Sequence, residues 1–213
     1  QINMRICPSA QMAPRAIWKG TKMNTTKLVS AAAVLAVCAT GALAQSKGDM
    51  TAGIGFAWVN PSDDNGSLAS GALDMDVGEN TQLSLTFEYF IADNLGIEVL
   101  AATPFTHQVK ANGSDIVKVK HLPPTVTLNY HVPTNTAFTP FFGAGVNYTT
   151  ILGLEDQKIS GLDIKDSWGL SGHFGVDYAI SERSALRVDA RYIDIDLDVE
   201  LNGDDIGTVE VDI

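Results

Sequence analysis

Between residues 52 and 192 the chain alternates apolar and polar residues with a period of two, in seven separate segments. The first apolar set is Ala52, Ile54, Phe56 and Trp58. The second runs from Leu83 by twos to Ile91, and the third is Leu95, Ile97, Val99 and Ala101. The fourth is Val126, Leu128, Tyr130 and Val132, and the fifth runs by twos from Pro140 to Tyr148. The sixth runs by twos from Trp168 to Ile180, and the seventh is Leu186, Val188, Ala190 and Tyr192. Period two is the signature of a β-strand with two unlike faces. No stretch after residue 45 has the 3.6-residue period of a long amphipathic helix, so the expected class is all-β.

Alternation alone does not say which face points inward. Three features predict that the large apolar residues face lipid and the polar ones line an interior. The connections alternate in length: 61–80, 104–115 and 151–166 are long, whereas 92–94, 133–137 and 181–184 are short. Long outer loops and short periplasmic turns characterise outer-membrane barrels. Aromatic residues mark both ends of the apolar set, with Trp58, Tyr148 and Trp168 at the outer rim and Tyr89, Tyr130, Phe138 and Tyr178 at the periplasmic rim. Two such girdles are expected where amphipathic rings meet lipid headgroups. The opposite faces are small or polar, as in Gly143, Gly145, Asn147 and Thr149, which suits a narrow lumen. A soluble barrel would bury the large apolar set instead.

The inward set also carries Glu88, Glu98, Asp177, Arg187, Asp189 and Arg191. Buried charges need partners, so these are expected to form an ion-paired network that plugs the lower barrel, the alternative being a polar, ion-conducting lumen. Beyond Tyr192 the seventh segment changes: Ile193, Ile195, Leu197 and Val199 become the apolar set, alternating with acids. A bulge would explain this, as would passage of the strand beyond the bilayer. In the second case Leu100, Arg191, Ile193, Ile195 and Leu197 would line an apolar vestibule at the outer mouth.

The N-terminus supplies the compartment. Met23-Asn24-Thr25-Thr26-Lys27, an apolar run over 28–39, and Ala42-Leu43-Ala44 before Gln45 follow the order of a secretory signal peptide. The run is far shorter than the ~20 residues a spanning helix needs. Residues 1–22 read as an unstructured upstream extension, 23–44 as the signal peptide and 45–213 as the barrel domain. Cys7 and Cys38 precede the cleavage site, and Cys38 follows Val37 rather than a small residue, which argues against lipidation. The mature part then has no disulfide and no thiol metal site. It carries nine basic residues against 25 acidic ones, a net charge near −16. That charge points away from a nucleic-acid partner. The acids crowd the long connections, where they are solvated or bridge to lipopolysaccharide through divalent cations. Thr208-Val209-Glu210-Val211-Asp212-Ile213 reads as the start of an eighth strand, because open edges are not tolerated in lipid and barrels of this type have even strand numbers. The expected fold is an eight-stranded antiparallel transmembrane β-barrel, its last strand truncated.

Several runs occur in order: Asn80-Thr81-Gln82-Leu83, Leu100-Ala101-Ala102-Thr103-Pro104-Phe105, His121-Leu122-Pro123-Pro124-Thr125, PFFGAGVNYTT over 140–150, Lys165-Asp166-Ser167-Trp168-Gly169 and Gly175-Val176-Asp177-Tyr178. Together they closely resemble the outer membrane protein W family, across nearly the whole mature chain. The resemblance implies a monomeric barrel in the Gram-negative outer membrane, with a narrow interior. It also implies passage of small hydrophobic compounds and a C-terminal aromatic residue used by the barrel-assembly machinery.

Passage of an apolar solute is the leading expectation: entry at the vestibule, obstruction by the charged lower lumen, and exit sideways into the membrane. A structural or receptor barrel that transports nothing is the alternative. A soluble lipocalin-like binder is a further one. An enzyme is disfavoured, since His107, His121, His131 and His173 show no Ser–His–Asp order and no metal spacing. His131 and His173 are expected as hydrogen-bonded interior groups. No cofactor is expected.

Overall fold

A computed structural model describes residues 32–39 as backbone, and 45–61, 65 and 67–211 with side chains. The expected upstream extension and all of the expected signal peptide except residues 32–39 lie outside the described residues.

In chain order the strands are β1 (Ala32–Ala39), β2 (Met50–Val59), β3 (Ser67–Leu68), β4 (Leu73–Val77), β5 (Asn80–Ala92), β6 (Leu95–Ala102), β7 (Phe105–Ala111), β8 (Ser114–Leu122), β9 (Thr125–His131), β10 (Phe138–Glu155), β11 (Leu162–Ile164), β12 (Ser167–Ser181), β13 (Ser184–Ile193), β14 (Asp196–Leu201) and β15 (Asp204–Glu210). The seven alternating segments are β2, β5, β6, β9, β10, β12 and β13. They pair antiparallel in that sequence, with Phe142 of β10 opposite Tyr130 on one side and Phe174 on the other.

β1 pairs with β13 on one side and β2 on the other, so the pairing returns on itself. This run, read from sequence as part of the signal peptide, occupies the place an eighth strand would take. It satisfies the backbone donors and acceptors of both edges, which would otherwise be unpaired. Asp204–Glu210, which overlaps the segment expected to begin an eighth strand, pairs with β14 instead.

The orientation of the faces is inverted relative to a soluble barrel. Phe56, Trp168 and Phe174 are 60%, 72% and 68% exposed, whereas Glu88 and Glu98 are 1% exposed. A lipocalin-like binder would bury the first group, so that reading is excluded. The rings expected at the two rims, Trp58, Tyr89, Tyr130, Phe138, Tyr148, Trp168 and Tyr178, lie on this outer face. Tyr148 and Trp168 pair with centroids 4.7 Å apart, and Phe138 and Tyr178 at 4.8 Å. Their polar tips find partners at the outer rim: Trp58 Nε1 donates to Glu79 at 3.1 Å, and Tyr148 OH to Asp166 at 2.6 Å. Among the described residues no helix is long and apolar enough to cross a membrane; the spanning elements are strands.

The long connections are not loops. The one expected over 104–115 is a hairpin of β7 and β8 reaching Leu122, and those over 61–80 and 151–166 contain β3, β4 and β11. One outer sheet runs β10-β8-β7-β4-β3, and a second runs β11-β14-β15. They enclose an apolar core that includes Leu68, Met75, Val77, Val109, Val117, Val119, Leu162, Val199 and Val209. The molecule therefore has two interiors, a polar one within the barrel wall and an apolar one beyond it.

The change of pattern in the seventh strand follows from this division and needs no bulge. Odd residues point inward throughout, from Ala185, Arg187, Asp189 and Arg191 to Ile193, Ile195 and Val199. Only the surroundings change. Below the rim the inward face meets polar groups and the outward face lipid; above it the inward face meets the apolar core and the outward face water.

Candidate functional site

The charged cluster of the lower interior is built from inward residues of five strands, β5, β6, β9, β12 and β13. Arg187 on β13 is its centre. Its Nε donates to Asp177 at 2.7 Å, one Nη to Glu98 at 2.6 Å, and the other Nη to Asp177 at 2.9 Å and Glu88 at 3.4 Å. Its guanidinium also lies 4.3 Å from the centroid of the buried Phe141 ring. Arg191 donates to the second oxygen of Glu98 at 2.7 Å and lies 3.6 Å from Asp189. The expected network of Glu88, Glu98, Asp177, Arg187 and Asp189 is thus brought together, with Arg191 as its sixth member.

Two histidines and one asparagine complete it. His131 Nε2 lies 2.9 Å from Glu88, and His173 Nδ1 lies 2.5 Å from Asp189. Asn129 donates to Glu88 at 3.2 Å and its carbonyl oxygen lies 2.7 Å from His173 Nε2. Every one of these side chains is buried. Charges withdrawn from water this completely persist only when paired and hydrogen-bonded. The cluster packs across the lower interior between the strands.

Glycine makes room for it. A Cβ on Gly143 would stand 2.1 Å from Asn129 Oδ1 and 2.4 Å from His173 Nε2, both fixed by the network. Gly143→Ala is expected to lower stability by ~1–3 kcal/mol through overpacking. The denaturant midpoint of the barrel, read from heat-modifiable gel mobility, checks this; an unchanged midpoint would show that the network yields.

Above the plug, between the two outer sheets, lies a cavity of about 620 Å³, counting the part open to solvent. Leu68, Met75, Val77, Val109, Val117, Val119, Ile195, Leu197 and Val199 are among its lining residues, and among the described residues no charged side chain borders it. Of the five residues expected at an apolar mouth, Ile195 and Leu197 line it. Ile193 is buried in the adjoining apolar core. Leu100 is buried within the barrel wall, opposite Thr86 and Thr125, and does not border the cavity. Arg191 is corrected from lining to plug: it points inward one step lower on the strand, into the polar layer.

Half of the lining comes from β4, β7 and β8, which sequence reading assigned to loops or left unassigned. Their signal was present: Phe105, His107, Val109 and Ala111 alternate, as do Val117, Val119 and His121, with Lys118 and Lys120 between them.

His107 and His121 both border the cavity. Their rings lie 5.0 Å apart and each packs against Phe105, at 5.9 and 5.8 Å. His107 Nδ1 donates to the carbonyl of Gly78 at 2.5 Å, which leaves the lone pair on Nε2. Burial pushes the His107 imidazole below its usual range, against the pull of that hydrogen bond. Burial, with a smaller contribution from His107, pushes His121 down to about 3. Both rings are therefore neutral at neutral pH. An opened hairpin would bind protons below about 6.5 that the closed form refuses until about 3, so acidification across this window favours opening. Backbone amides of β7 and β8 are expected to lose hydrogen-exchange protection as pH falls from 6.5 towards 4, after correction for intrinsic rates. Protection unchanged over that range would contradict the burial of these rings.

Comparison with known proteins agrees with this geometry. The OmpW family profile matches residues 46–213. The chain belongs to the OmpW family. Outer membrane protein W of Escherichia coli strain K12 is 40% identical over 177 residues, covering 79% of this chain and 83% of that protein. The crystal structure of OprG from Pseudomonas aeruginosa superposes with a TM-score of 0.58 at 31% identity, covering 86% of this chain and 88% of that one. A more distant relative, the dibenzothiophene metabolism operon protein PahQ of Pseudomonas aeruginosa, is 29% identical over 120 residues, 54% of this chain and 57% of that protein. Like its OmpW-family relatives, the chain is an outer-membrane protein of the Gram-negative type.

Proposed function

We propose that the chain passes small hydrophobic molecules from the exterior into the outer membrane. A solute enters the apolar cavity between the outer sheets, meets the ion-paired plug beneath it, and leaves sideways through the wall into lipid. The observation that carries this reading is the stacking of an uncharged apolar cavity on a lumen filled by buried charges. An aqueous pore would need the opposite arrangement, with water-filled polar space running the length of the barrel. That one relative bears the name of a dibenzothiophene metabolism operon protein supports the reading.

The same reading makes the chain a monomer bounded by lipid and lipopolysaccharide, inserted by the barrel-assembly machinery. It assigns no catalysis: His173 faces Asp189, but its Nε2 lies against Asn129 rather than a nucleophilic hydroxyl. Uptake of a hydrophobic fluorescent probe by liposomes containing the protein should exceed uptake by empty liposomes. Equal uptake would overturn the reading in favour of a structural or receptor barrel.

A further inference from the structure

His107 and His121 are 3% and 6% exposed, on the wall of an otherwise apolar cavity. His107 Nε2 and His121 Nδ1 have no hydrogen-bond partner among the described residues. A buried polar atom left without a partner is destabilising. An apolar residue at either position would have filled the wall without that cost. Both histidines face inward on their strands, in register with Phe105 and Val119, where the apolar pattern predicts an aliphatic or phenyl side chain.

We infer that the two histidines form a polar anchor within the cavity, selecting neutral apolar molecules that carry a hydroxyl group over plain hydrocarbons and over anions. The chemistry follows from the two nitrogens. With Nδ1 of His107 committed to Gly78, its Nε2 can only accept. A neutral His121 bears one N–H and one lone pair, and can present the N–H at Nδ1. A hydroxyl group both donates and accepts, so one hydroxyl satisfies both rings, donating to His107 and accepting from His121. A hydrocarbon satisfies neither. A carboxylate would be buried with no charged side chain among the described residues bordering the cavity, which is more costly than leaving the histidines unpaired.

This inference rests on the reading of the cavity as a site for apolar molecules, and the test separates the two. Full-length protein in nanodiscs is titrated with 1-naphthol, naphthalene and ionised 1-naphthoate, with empty nanodiscs subtracted. The wild type is expected to bind 1-naphthol about tenfold more tightly than naphthalene and to exclude 1-naphthoate. In a His107→Phe/His121→Phe variant, 1-naphthol should bind no better than naphthalene, with naphthalene retained. Naphthalene bound as well as 1-naphthol by the wild type would overturn the anchor and leave the cavity reading intact. Binding of neither would overturn both. The wild type provides a measurement independent of the variant's folding: in histidine-selective 15N NMR, 1-naphthol should shift the Nε2 resonance of His107 and naphthalene should not. An unmoved resonance under saturating 1-naphthol would overturn the anchor.

Discussion

Arg187→Ala is expected to cost the barrel ~3–5 kcal/mol, the largest loss from any single substitution in the lower interior. The magnitude follows from what remains. Glu88, Glu98 and Asp177 all converge on this guanidinium and are all buried. Removing it leaves Asp177 facing His131 at 3.7 Å and Glu98 held by Arg191 alone. Phe141 also loses the cation over its ring. A control separates charge from shape: Arg187→Met in a background of Glu98→Gln and Asp177→Asn restores much of the packing without stranding two of the carboxylates, and should recover part of the loss. The midpoint of urea unfolding for the reconstituted full-length protein, followed by heat-modifiable mobility, is the measurement. Equal midpoints for wild type and Arg187→Ala would mean that the network does not hold the wall together.

Val117→Trp is expected to abolish uptake of a hydrophobic probe, reducing it to the empty-liposome rate. Val117 is 1% exposed and borders the cavity opposite Val109. An indole there would occupy space that a solute needs, at an overpacking cost of ~1–3 kcal/mol that an intact barrel tolerates. Lys118→Trp is the matched control. The next residue points away from the cavity, where its ammonium pairs with Asp156 at 2.5 Å, and uptake should be unaffected. Normal uptake by the Val117→Trp protein, folded by the gel criterion, would route passage elsewhere.

The barrel wall was legible in the sequence because lipid imposes a strict rule. Every outward residue in a spanning strand must be apolar, so Phe56, Leu85, Phe142 and Phe174 mark their strands without ambiguity. The plug was legible for the same reason: an arginine among lipid-facing alternation, such as Arg187 between Leu186 and Val188, has only the interior to go to. The outer sheets were less so. Their outward faces meet water and carry Asp74, Asp76 and Asp163, which read as loop charge. Their apolar faces are assembled from β3, β4, β7, β8 and β11, of which β3 and β11 have only two and three residues. The position of Leu100 and Arg191 relative to the cavity depended on how high each stands along its strand, which a two-residue period does not encode.

The odd–even order that runs from β13 to Val199 of β14 bears on how such an outer module can vary in length. Arg187, Arg191, Ile195 and Val199 share one side of a single path that leaves the bilayer without a change of phase. One residue added just above Ile193 would turn Ile195, Leu197 and Val199 to water and Asp196 and Asp198 to the apolar core. Two added residues would keep every side chain on its side and only raise the sheet by one repeat. Growth and shortening of the extracellular strands are thus confined to even steps unless a bulge absorbs the odd one, as the shift between Ile151 and Gly153 does on β10. The depth of the cavity can therefore change in increments of about 7 Å, two strand residues at a time, while the membrane-embedded wall keeps its register.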